Sequence, residues 1–101
     1  MRFKDIKFDK FTSRTEDGVR AHISFGTDTT LSVIREPGKK HYEIALFDAK
    51  GSFKRMPGII EPSHYDDVLP YQTENDVNAK MLKLMLITGT LQPKQIPTEP
   101  I

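Results

Sequence analysis

Hydrophobic positions along the chain follow a period of two up to about residue 56 and a helical period from residue 77 onward. Phe11, Val19, Ala21, Ile23 and Phe25 hold the apolar side of one alternating stretch, and Arg20, His22 and Ser24 hold the other, which predicts a half-buried strand. A three-residue loop of Glu16, Asp17 and Gly18, with the glycine left-handed, sets Phe11 opposite Ile23. A two-residue loop at Asp17 and Gly18 would set it opposite Ser24, and the first register is preferred. Residues 31–34 form the next strand, ended by Glu36, Pro37, Gly38 and Lys39. There proline presets the first central dihedral of a type II turn and glycine accepts the positive one. Residues 42–47 are apolar on both faces, as expected of a central strand. Asp48 to Gly51 make a hairpin turn into a strand over residues 52–56, and Pro57 with Gly58 stops it. With a first strand over residues 4–11, the result is an antiparallel meander of four to five strands.

Residues 61–71, EPSHYDDVLPY, are predicted to be an irregular surface loop. A helix follows over residues 73–89, with Thr73 as N-cap, Glu74 and Asp76 in the first turn, and Gly89 beyond the last. Val77, Met81, Leu84 and Met85 form one stripe of it. Ala79, Leu82 and Leu86 extend that stripe to an arc of roughly 220°, about twice what one sheet covers. The surplus needs the chain's own tail, a second copy or another protein. The tail, TLQPKQIPTEPI, holds three of the seven prolines and reads as an extended arm. Its Leu91, Ile96 and Ile101 could fold back over Leu82 and Leu86.

The fold class expected is therefore α+β, a sheet packed by one long C-terminal helix. Residues 1–89 form a single domain and residues 90–101 an arm. Fifteen Lys and Arg against fourteen Asp and Glu leave a net charge of +1, which supplies no field for a phosphate backbone and argues against nucleic acid as a partner. There is no cysteine, no signal-peptide pattern and no apolar run of membrane-span length. The setting expected is the cytoplasm, with no membrane partner.

No motif carries catalysis. His22, His41 and His64 lie too far apart for a zinc signature, and His22 and His41 read as surface residues. His64 with Glu61, Asp66 and Asp67 is the only set that could converge on a cation, and a solvated acidic loop is the preferred reading. Ser63 beside His64 lacks a glycine-framed elbow, and no glycine spacing forms a phosphate loop. No catalytic residue, metal or cofactor is expected. Lys39, Lys40 and His41 with Lys50, Lys54 and Arg55 form basic hairpins, read as edges that resist strand pairing. Tyr65 and Tyr71 flank the acidic loop and suit interface anchors, since an aromatic ring buries much area at little entropic cost. The residues expected to bind a partner are Leu82, Met85, Leu86, Tyr65 and Tyr71.

Residues 42–53, YEIALFDAKGSF, followed by HYDDVLPYQTENDV at 64–77, resemble small proteins of tailed bacteriophages that carry a short meander, an Asp-Asp-Val element and one terminal helix. The resemblance covers residues 31–89 and carries over no functional residue. It implies a gene product acting inside an infected bacterium, a non-enzymatic inhibitor that occludes a host or anti-phage defence protein. The alternatives are a virion or assembly component that forms a homo-oligomer, and a nucleic-acid binder or mimic. The proline-bearing arm departs from that pattern.

Overall fold

The computed structural model describes residues 1–13 and 16–98, which fold as an open antiparallel sheet crossed by one α-helix. A 3-10 turn, Phe3–Asp5, precedes β1 (Asp9–Ser13), β2 (Glu16–Ser24), β3 (Thr30–Arg35), β4 (Tyr42–Phe47) and β5 (Phe53–Lys54). Then come β6 (Leu69–Gln72), the helix α1 (Glu74–Thr88) and β7 (Lys94–Ile96). The sheet runs β1-β2-β3-β4-β5, with β6 beside β4 and β7 beside β2. Among the described residues no helix is long and apolar enough to cross a membrane.

Alternation along the three middle strands builds the core. Ala21, Val33 and Ile44 stand in one cross-strand row and Ile23, Leu31 and Leu46 in the next, all buried. Val77, Met81 and Leu84 of α1 close over these rows, with Phe25, Ile6, Ile59 and Ile60 sealing the ends. Each such aliphatic side chain contributes about 1.5–3 kcal/mol through burial. The opposite face carries Arg20, His22, Ser32, Glu43 and Phe47. Its rings pair up, Phe47 with Phe53 at 4.7 Å between centroids and Phe11 beneath the Arg20 guanidinium at 5.6 Å.

Turn chemistry holds at three places. Lys39 N–H donates to the Glu36 carbonyl at 3.0 Å with Gly38 at φ 78°. Gly51 N–H donates to the Asp48 carbonyl at 3.0 Å. At α1, the Thr73 hydroxyl accepts from Asp76 N–H at 3.1 Å while the Asp76 carboxylate accepts from Thr73 N–H at 2.9 Å, a reciprocal capping box. Those bonds hold the Asp76 carboxyl below its ordinary pKa. Gly89 ends the helix at φ 69°.

Four expectations are corrected. The first hairpin pairs Ser13 with Glu16 and Phe11 with Gly18, so Asp17 and Gly18 lie inside β2 and neither proposed register is adopted. The glycine serves contact instead: a Cβ there would stand 2.6 Å from the Phe11 ring and 2.8 Å from the Arg35 carbonyl. The first strand begins at Asp9 rather than residue 4, because Phe3 N–H donates to the Asn78 side chain at 2.9 Å and ties the N-terminus to α1. The strand after the Asp48 turn shortens to two residues.

The remaining difference raises the strand count to seven. Residues 69–72, expected in a loop, form β6 against Tyr42 and Ile44. In the tail, β7 pairs Lys94, Gln95 and Ile96 with Ser24, Ile23 and His22. The Gln95 side chain accepts from Lys7 N–H at 2.9 Å and donates to the Lys7 carbonyl, and the Thr98 hydroxyl donates to Asp9 at 2.7 Å. Ile101 lies outside the described residues.

Candidate interaction surface

Helical spacing and the exposed side chains of α1 agree on one apolar stripe away from the sheet. Counting 100° per residue from Val77, Met85 falls near 80°, Leu82 near 140°, Leu86 near 180° and Ala79 near 200°. Met85 is half-buried at the core margin, whereas Leu82 is 46% and Leu86 83% exposed. The described residues of the tail, up to 98, do not shield them, for they run along β2, and Leu91 is itself 84% exposed. Ile87, which spacing places between Lys80 and Lys83, is half-exposed. It was missed because its neighbours on that flank are lysines.

The two flanks of α1 differ in what holds them. Lys80 donates to the Gln72 side chain at 2.7 Å and Lys83 to the Gly58 carbonyl at 3.3 Å, so the lysine flank is tied to its own chain. Among the described residues nothing comparable holds Leu82 or Leu86, which stay exposed. A row of apolar side chains at i and i+4, bounded by polar groups, is the form in which helices enter hydrophobic grooves.

The two tyrosines stand elsewhere. Tyr65 lies between β5 and β6, almost wholly in solvent. Tyr71 belongs to β6, where Gln72 pairs with the core-facing Tyr42, so its ring falls on the other side of the sheet beside Lys39, Lys40, His41 and Glu43. Tyr71 adopts φ 60°, uncommon for an aromatic residue.

The acidic loop spends its groups on its own turns. Glu61 accepts from Gly58 N–H at 2.9 Å, Asp66 from Asp67 N–H at 2.7 Å, and Asp67 pairs with Arg55 at 3.0 Å. The His64 Nε2 lies 3.3 Å from the Val68 carbonyl. Among the described residues no three histidine or carboxylate groups are placed to hold a metal. Lys54 pairs with Asp28 at 3.5 Å, and the Asp28 carboxyl lies below its ordinary pKa through a bond from Ala49 N–H and then the lysine charge.

His22 and Glu43 depart from surface behaviour. His22 is half-buried opposite Ser32 and Ile96, and burial, then the Arg20 charge, lowers its pKa from 6.5. Glu43 moves up from 4.5, first by burial and then by Glu36. Compared with known protein families, curated proteins and solved structures, the chain matches none of them.

Proposed function

We propose that the chain is a small, non-enzymatic protein-binding module that works by occluding a partner's surface with the outer stripe of α1. The observation that supports this reading is the exposure of Leu82 and Leu86 on a helix followed by a segment, Lys94–Ile96, that pairs with β2 instead. Scattered surface leucines need no explanation, but a continuous stripe beside a half-buried methionine is the pattern of a docking face. The phage resemblance makes the partner a host or anti-phage defence protein, inhibited by steric blockade inside the bacterial cytoplasm. Neither Tyr65 nor Tyr71 is part of this stripe.

Immobilised full-length chain tests the proposal in bacterial lysate, compared with the double variant Leu82→Asp and Leu86→Asp. Wild type retains one stoichiometric protein, and the double variant loses it by about thirtyfold or more, the loss of a hot spot of roughly 2 kcal/mol. Light scattering on the purified chain separates a foreign partner from a second copy. A stable homo-oligomer with nothing retained assigns the stripe to self-assembly.

A further inference from the structure

A recess of about 370 Å³ opens where the end of β3 and the start of β4 meet the first turn of α1. Its lining includes Arg35, Lys40, His41, Tyr42, Glu74 and Asn75. Val33 pairs with Ile44 in the core, and Arg35 and Tyr42 each lie two residues along from them. Strand alternation therefore sets both on the side of the sheet that α1 covers. Glu74 is the first residue of α1, so these groups border one space on one side of the sheet. The volume lies at the low end of the roughly 300–1,000 Å³ that small-molecule sites occupy.

Charge in this recess is mixed in sign. Arg35 and Lys40 stand with Glu74 in the lining, and Glu36 and Asp76 lie close by in the chain. The Asp76 carboxylate and the Thr73 hydroxyl are already spent on the capping box. Lys54 and Arg55 are ion-paired, but among the described residues Arg35, Lys40 and Glu74 are not. Opposite charges thus border the recess without meeting across it. The Tyr42 hydroxyl responds to both: burial raises its pKa, Arg35 then lowers it and Glu74 raises it.

The cation at the floor is held in place. The Arg35 guanidinium lies over the Tyr42 ring at 5.9 Å, and that ring packs in turn on Phe3 and Phe8. Its Nε is buried without a hydrogen-bond partner. A guanidinium fixed on an aromatic face loses little further freedom when a carboxylate bonds it. A ligand with one charge satisfies only part of this lining, since an anion meets Glu74 and a cation meets Arg35 and Lys40. A small molecule that carries a carboxylate and an ammonium answers both with charge-assisted bonds.

We infer that this recess binds a free α-amino acid as its zwitterion, the carboxylate on Arg35 and Lys40 and the ammonium on Glu74. Titration of the full chain with each proteinogenic L-amino acid, followed by amide NMR shifts, selects the one that binds best. That amino acid is then compared with its N-acetyl and its amide derivative, each of which lacks one of the two charges. The parent binds at one site, at least about tenfold more tightly than either derivative. Glu74→Gln weakens the parent about tenfold or more and leaves the N-acetyl derivative unchanged, whereas Lys40→Gln weakens both. Both side chains are exposed, so either variant keeps the fold. The proposal is overturned if no amino acid binds at millimolar concentration, if N-acetylation leaves affinity unchanged, or if Glu74→Gln weakens the acetylated form as much as the parent. It falls equally if dialanine binds more tightly than every free amino acid, which would make the ligand a peptide. The recess shares no residue with the stripe of Ala79, Leu82 and Leu86, so failure here and failure of partner capture are separate results.

Discussion

Replacing Leu84 by alanine costs about 3 kcal/mol of folding stability, whereas the same change at Leu86 shifts it by less than about 0.5 kcal/mol. The two side chains are chemically identical and two residues apart on α1. Leu84 is fully buried in the core cluster that also holds Met81 and Val77, so truncation leaves a cavity inside it. Leu86 is mostly in water already, and alanine returns slightly better helix propensity. Urea denaturation of both variants followed by circular dichroism measures the difference. Equal losses at the two positions would mean that the outer stripe is packed against the chain itself.

Gly18→Ala is the other large loss, about 2–3 kcal/mol. A methyl group there would overlap the Phe11 ring and the Arg35 carbonyl, both well inside van der Waals distance. The ring could rotate away only by leaving its place under the Arg20 guanidinium, and the carbonyl belongs to the β3 backbone paired with Val19. Strain therefore spreads into two strands. A companion variant, Gly18→Ala with Phe11→Ala, recovers part of the loss by removing one of the two overlaps, as thermal unfolding would record. Undiminished stability in the single variant would refute the close approach.

Gly18 also shows how the sequence misleads. Asp17 with Gly18 is a strong turn signal when read locally, and glycine does favour positive φ. The same residue is equally needed where a ring crosses a backbone closely, and only the β1–β2 register separates the two uses. Elements whose causes are local were legible. The N-cap at Thr73, the glycine beyond α1, the turns at Gly38 and Gly51, and the two-faced β4 all follow from residues within a few positions. So does the coarse class, an antiparallel sheet with one helix.

What escaped depends on distant partners. Pro70 and the exposed Tyr71 disguise β6 as loop, yet proline is tolerated where its strand lies at an edge, and β6 is recruited by Tyr42 and Ile44. Nothing near the proline-bearing tail announces that Gln95 will bond Lys7, some ninety residues earlier. The stripe on α1 was partly legible. An apolar arc wider than one sheet needs is visible in spacing alone, but whether the tail would cover Leu82 and Leu86 depended on where β7 pairs. The grouping of Tyr71 with that stripe failed because strand alternation turns its ring to the other side of the sheet.

The chain has no cysteine, so Leu86→Cys places a single thiol at the centre of the outer stripe. In dilute, isolated protein this thiol reacts with a maleimide at close to the rate of an unfolded control, while Leu84→Cys stays unreactive until the chain unfolds. Adding the captured partner, or raising the concentration if the partner is a second copy, protects position 86. A thiol at position 86 that is shielded in the isolated chain, or one that remains fully reactive in the bound complex, would contradict the account.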